Sequence, residues 1–406
     1  MSFSPKKYFS KIQSPDVLVK YYATHNIQAF FEIGEQTPRK QAVEIMMDFY
    51  TSIDPAHKYD IERELALISS LSTKHAPPLF IQALTKANIP TIPEIECHTD
   101  HDRVLYYYTY HKKIVDEVLF FHDFYIAKGY MLYEAKEIDL LKAELAMTEC
   151  AKEFKRIANK DDRVTECEVE TKNLADMLYA HVTFDGAPIL TPTRNKETGE
   201  LDRTKTVRKL EQIRIVYLPQ DKEVLISYTG NKHERLIFLD TFLRIVCDSG
   251  YEDKVQSFNL SSFKKETFDF RTTSKNVPLL QWKIKAVTVS FGESKAKKKL
   301  RLSLPSTPQE QGLSPLFSTL EEAKMTELFT NCAIENMTLS FSFTDINKPQ
   351  KQVNVSCSLS TTKSSLLPLF PYDRYARTLL KLAHIDKGFI EKAKKEKEEV
   401  SKKWEA

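Results

Sequence analysis

The stretch ECHTDHDRVLYYYTYHKKIVDEVLFFHD, Glu96 to Asp123, holds four of the ten histidines of a 406-residue chain, together with four aspartates. Imidazole nitrogen and carboxylate oxygen are donors that zinc, magnesium and calcium take, provided that all lie within about 2.0–2.5 Å of one point. His98 and His101 stand three apart with Asp100 and Asp102 interleaved, so a single turn of chain makes these four the candidate metal ligands. The same residues have a plainer use. Asp100 or Asp102 is a good N-cap for a helix running to about Ala127. On such a helix Val104, Tyr107, His111, Val115, Val118 and His122 share one face. His111 and His122 are then roughly 16 Å apart at 1.5 Å per residue, too far to share an ion unless the helix breaks.

A His-Asp dipeptide leading into a helix is similar to the start of metal-dependent phosphohydrolases of the HD type, which draw a further histidine and aspartate from other helices. His101–Asp102 and His122–Asp123 are two such dipeptides. A second acidic candidate is TECEVE. Strand alternation places Glu166, Glu168 and Glu170 on one face, where they either hold Mg²⁺ for acid–base work or pair with Lys and Arg across a sheet. Acidic nuclease sites add a lysine in ExK spacing. The best match, Asp123 with Glu134 and Lys136, lies in sequence that reads as helix. Cys97 beside His98 and Cys247 in an apolar helix lack a base and an orienting acid at recognisable spacing, so no nucleophilic triad emerges.

Basic residues give the third candidate. KAKKKLR, 295–301, falls on a hairpin turn and the strand leaving it. Lys264, Lys265, Arg271, Lys275, Lys297, Lys298, Lys299 and Arg301 form the candidate phosphate-contacting set, with Arg203, Lys205, Arg208 and Lys209 upstream. Residues 203–305 carry 21 basic and 11 acidic side chains, net +10, whereas 1–160 carry 20 and 22, net −2. The alternative use of such lysines is to keep an exposed strand edge from pairing with another sheet.

The elements that position these residues change character along the chain. Up to about residue 160 the pattern is helical, with caps at Ser14, Thr37 and Asp54, each followed by proline. From 161 it alternates. LEQIRIVYLPQDKEVLISYT reads as a hairpin turning at Pro219–Asp221, followed by a buried helix that Gly250 should stop. KIKAVTVSF with KKLRLSL, then the helix TLEEAKMTELFTN, repeat the layout. ENMTLSFSF with KQVNVSCSLS, then PYDRYARTLLKLAHI, repeat it again. Fold class is therefore α+β: an irregular helical domain over 1–160, an antiparallel-sheet domain over 161–385 built as strand–strand–helix, and a charged helix or tail over 386–406. In the last hairpin Met337, Leu339, Phe341, Phe343, Val353, Val355, Cys357 and Leu359 form the inner set. The outer set, Thr338, Ser340, Ser342, Asn354, Ser356, Ser358 and Ser360, is polar but uncharged.

Composition narrows the function classes. Only 9 glycines occur, and no GxGxxG, GxxxxGK[ST] or GxSxG is present, which removes the common nucleotide-binding and α/β-hydrolase signatures. Six isolated cysteines fit reduced thiols, and no stretch has signal-peptide or membrane-span character. The expectation is a cytoplasmic, non-enzymatic binding protein without a cofactor. Its C-terminal domain would present a basic surface to nucleic acid or an acidic partner, and its helical domain would contact protein. The alternatives are a metal-dependent phosphodiesterase or nuclease, and a structural subunit of a bacterial defence or host-interaction assembly.

Overall fold

The computed structural model describes residues 3–34, 36–73, 76–91, 97–159, 167–174, 176–190, 193–194, 201–202, 206–272, 277–291, 298–304, 311–345 and 350–391. The chain forms two compact units, Met1–Lys128 and Gly129–Ala406, and its class is α+β. Among the described residues no helix is long and apolar enough to cross a membrane.

The first unit is helical: α1 (Pro5–Phe9), α2 (Pro15–Thr24), α3 (Arg39–Ser52), α4 (Pro55–Leu71), α5 (Ala76–Lys86), α6 (Asp100–Tyr110) and α7 (Lys112–Ile126). Proline opens α2 and α4 at the position where a missing N–H costs nothing, and Asp54 Oδ1 accepts from Ala56 N at 2.8 Å. Thr37 does not cap α3. Pro38 takes that place, and Thr37 Oγ1 accepts from Gly34 N at 2.9 Å. The helix expected from about 100 to Ala127 breaks at His111, whose φ of −132° interrupts the spiral. The break lets α6 pack on α2 and α4 while α7 packs on α5, so each half buries its own stripe.

The second unit begins with a strand where helix was expected. Gly129 turns the chain at φ +76°, and β1 (Met131–Glu134) adds to a sheet edge. Then follow α8 (Leu140–Ala158), β2 (Cys167–Leu174), β3 (Met177–Leu190), the short ribbon β4 (Thr193–Arg194) and β5 (Leu201–Asp202), β6 (Thr206–Leu218), β7 (Glu223–Tyr228) and α9 (Lys232–Val246). The first sheet is antiparallel in the order β1-β7-β6-β3-β2. Helix α8, assigned from sequence to the helical half, lays Ala143, Met147, Cys150 and Phe154 on this sheet beside Phe238 and Phe242 of α9. Asp248, at φ 47°, takes the left-handed position after α9 that Gly250 was expected to fill.

The rest of the unit contains β8 (Lys254–Phe258), β9 (Leu279–Phe291), β10 (Lys298–Ser303), α10 (Ser314–Glu322), α11 (Thr326–Asn331), β11 (Ala333–Thr344), β12 (Gln352–Ser360), α12 (Pro371–Leu382) and β13 (Asp386–Glu391). The second sheet runs β10-β9-β11-β12, all antiparallel, and the three hairpins read from sequence are β6–β7, β9–β10 and β11–β12. Where one helix was expected, α10 and α11 are separated at Lys324, φ 54°, which turns Leu320 and Phe329 into the same core. That core gathers Phe263, Phe268, Phe270 and Phe341 around Trp282, whose Nε1 donates to Asp269 Oδ1 at 2.8 Å. The segment from Asp386, expected as helix or tail, starts instead as β13 paired with β8. Residues 392–406 lie outside the described residues.

Candidate functional site

Pleating decides which side chains of the second sheet face away from its helices. Met337, Leu339, Phe341, Phe343, Val355, Cys357 and Leu359 are buried, Val353 is half-buried, and the Ser/Thr/Asn set alternates with them. In β9 and β10 the same alternation sends Val287, Val289, Leu300 and Leu302 inward and Thr288, Arg301 and Ser303 outward. Ladder pairing aligns the outward residues in rows. Arg301 lies opposite Thr288, Thr288 opposite Asn336, and Asn336 opposite Ser360. The next row is Ser303, Ala286, Thr338 and Ser358.

These rows floor a groove of about 520 Å³. Two register shifts bound it, one passing over Glu335 and the other Lys285. Such bulges bend and twist the strand that carries them. The far wall is a chain reversal after β12. Ser360 N donates to Lys363 O at 2.8 Å, Ser365 N to Ser358 O at 2.9 Å, and Ser358 N to Ser365 Oγ at 2.8 Å. The reversal covers the free edge of β12 and brings Lys363, Ser364 and Ser365 to the groove. Arg301 and Lys363 thus stand at opposite edges of the sheet, β10 and β12 being three strand spacings, about 14 Å, apart. Both are exposed, and neither side chain has an ion-pair or hydrogen-bond partner among the described residues. A hydroxyl and amide floor with a cation on each side can hydrogen-bond oxyanions and balance their charge. Among the described residues no aromatic side chain lines this groove.

The other cations of the sequence-derived set divide by what they already hold. Lys264 Nζ donates to the carbonyls of Thr330 and Cys332 at the end of α11. Arg271 is forked on Asp269, 2.7 Å, and also reaches Gln311. Lys299 pairs with Glu335 at 2.6 Å, the residue that the first bulge pushes out. Lys265 and Lys298 are exposed and without partners among the described residues; Lys275 and Lys297 lie outside the described residues.

The His/Asp group resolves into a helix start, but Thr99, not Asp100 or Asp102, is the N-cap: Thr99 Oγ1 accepts from Asp102 N at 3.1 Å and Asp102 reaches back to Thr99 N, closing a capping box. Asp102 is fully buried and saturated. Its Oδ1 accepts from Gln13 N at 2.9 Å and Ser14 N at 3.1 Å, and its Oδ2 from Thr99 N at 2.9 Å and Thr99 Oγ1 at 2.8 Å. Asp100 pairs with Arg103 at 3.1 Å. His101 packs on the Tyr8 ring, and burial holds its pKa below the usual histidine value despite Asp102 and Asp100 nearby. His98 is exposed. No group of three or more His, Cys, Asp or Glu suited to a metal occurs among the described residues.

On β2, Glu168 and Glu170 are exposed on the edge strand, and Glu170 pairs with Lys172 at 2.9 Å; Glu166 lies outside the described residues. Burial pushes the thiol of Cys357 up to about 11 and that of Cys247 up to about 12, so both stay protonated at neutral pH.

No protein family, curated protein or solved structure matches this chain.

Thr288, Asn336 and Lys363 were not in the sequence-derived set. Lys363 carried a readable signal: it is the one cation in SLSTTKSSL, directly after a strand whose outer face is serine. Asn336 and Thr288 join only through ladder register, which a single sequence does not display.

Proposed function

We propose that this chain is a non-enzymatic binding protein whose second sheet takes up the sugar-phosphate backbone of nucleic acid. The observation that carries this is the row Arg301–Thr288–Asn336–Ser360 closing on Lys363: neutral polar side chains between two cations that have no ion-pair partner among the described residues. Cations supply the salt-sensitive part of such binding, and hydroxyl and amide groups fix the backbone in place. Contacts of this kind to phosphate and sugar are indifferent to base identity.

Fluorescence anisotropy with labelled single-stranded DNA, duplex DNA and RNA at rising salt tests the proposal. Arg301→Ala and Lys363→Ala should each weaken binding and flatten the slope of log K against log salt by about 0.7 to 0.9. Wild-type protein that binds none of these at low salt, or a double variant Arg301→Glu with Lys363→Glu that binds normally, sinks it. Binding to polyglutamate with none to nucleic acid would transfer the groove to an acidic protein partner.

A further inference from the structure

Lys363 and Ser364 line two cavities at once. One is the Ser/Thr groove. The other, about 240 Å³, is more enclosed and is walled by Tyr130, Tyr133, Leu236, Tyr251 and Leu366. This second cavity sits where the first sheet's edge strand β1 and helix α9 meet β8 and the reversal after β12. Its surface is mainly apolar; Gln256 and Thr362 contribute neutral polar groups, and Lys232, Asp253 and Lys254 contribute charged ones. Tyr133 and Tyr251 contact edge to face, ring centroids 5.9 Å apart, and the Tyr251 hydroxyl donates to Asp253 at 2.9 Å. The two rings are therefore fixed before any ligand arrives. Pockets for drug-sized ligands run to about 300–1,000 Å³, so this one suits a group the size of a single planar ring system.

A groove that grips phosphate and a tyrosine-walled pocket that share a lysine match one chemistry: a phosphodiester strand with an unpaired base beside the gripped phosphate. We infer that this pocket receives one base turned out of a single-stranded nucleic acid whose backbone lies in the Ser/Thr groove, with Lys363 at the junction. The inference rests on the proposed function. Base pairing and stacking within a duplex hold the bases away from such a pocket, so single strands are the preferred ligand. Aromatic walls accept any base face, and Gln256 and Thr362 supply hydrogen bonds to a base edge.

The test compares three labelled probes of equal length on the full chain: a single-stranded oligonucleotide, the same backbone with abasic sites throughout, and a duplex. The oligonucleotide should bind about tenfold more tightly than the abasic strand, the scale of one base stacked on an aromatic side chain. Tyr251→Ala should erase that difference while abasic binding stays as in wild type, and Tyr251→Phe should restore it. Leu236→Trp, which fills the pocket from α9, should do the same as Tyr251→Ala if the latter fails to fold. Equal binding of oligonucleotide and abasic strand overturns the pocket and leaves the groove standing. Loss of all binding in wild type overturns the groove reading itself. A Tyr251→Ala variant that folds and keeps the tenfold difference also overturns the pocket.

Discussion

Arg377, on α12, donates both terminal nitrogens to the carboxylate of Glu223 at the start of β7, at 2.8 and 2.5 Å, and both side chains are only 6% exposed. Burial opposes the charge on Arg377, yet the hydrogen bonds and negative charge of Glu223 raise its pKa. The pair ties the helix of the second sheet to the first sheet. Lys381 and Asp221, 3.3 Å apart one turn further along α12, continue the contact at the surface.

Arg377→Ala should cost about 3–5 kcal/mol, because it strands a buried carboxylate. Arg377→Met combined with Glu223→Leu should recover most of that loss. Urea unfolding of Arg377→Met, Glu223→Leu and the double variant measures the coupling; a double variant as unstable as Arg377→Ala would show that packing, not the stranded charge, sets the cost.

The cations divide into binders and braces. Lys264→Ala should lower stability by about 1–2 kcal/mol, since it removes a charged donor from two carbonyls. It should leave the salt slope of nucleic-acid binding unchanged, whereas Arg301→Ala and Lys363→Ala should leave stability unchanged and flatten the slope. Thermal melts and anisotropy on the same samples separate the two behaviours.

Asp102→Ala should destabilise the first unit by about 3 kcal/mol or more, because the amides of Gln13, Ser14 and Thr99 lose their acceptor. Adding EDTA to the wild-type protein should not move its Tm, since that carboxylate is already saturated by protein donors. A chelator-induced drop would assign the His98–Asp102 segment to a metal after all.

His101 gives the first unit a pH dependence. Burial lowers its folded pKa below the ordinary value of 6.5, so the unfolded chain binds the proton first as pH falls. Its contribution is complete above pH 6.5 and is lost as pH falls through the folded pKa. Urea midpoints should decline between pH 7 and 5, and His101→Phe should shrink that decline. An unchanged decline in the variant would place the titrating group elsewhere.

Periodicity carried the architecture a long way. Period-two alternation picked out the buried Met337, Leu339, Phe341, Phe343, Val355, Cys357 and Leu359 of the last hairpin, because a one-residue slip would turn the apolar set outward, although Ser340 and Ser342 of the outer set are also buried and Val353 is half-buried. Proline and Asp signals placed the starts of α2 and α4 because they act locally through the first turn. Breaks decided by packing were not legible. Nothing local in YYYTYHKK ends a helix, and His111 bends because its two flanking stripes have different partners. Strand β1 is four residues in a helix-favouring neighbourhood, held by the ladder of β7.

The sequence by itself determined the α+β class, the polar uncharged outer set of the last hairpin and the excess of positive charge in the neighbouring segment, since each follows from residue type and pleat. Only tertiary structure decided which cations remain free. Glu335 and two carbonyls reach Lys299 and Lys264 from positions far along the chain, up to 68 residues away, whereas Asp269 holds Arg271 locally. It also decided that Arg301 and Lys363 face each other across one floor, because strand register and a chain reversal set that distance and no linear spacing encodes it.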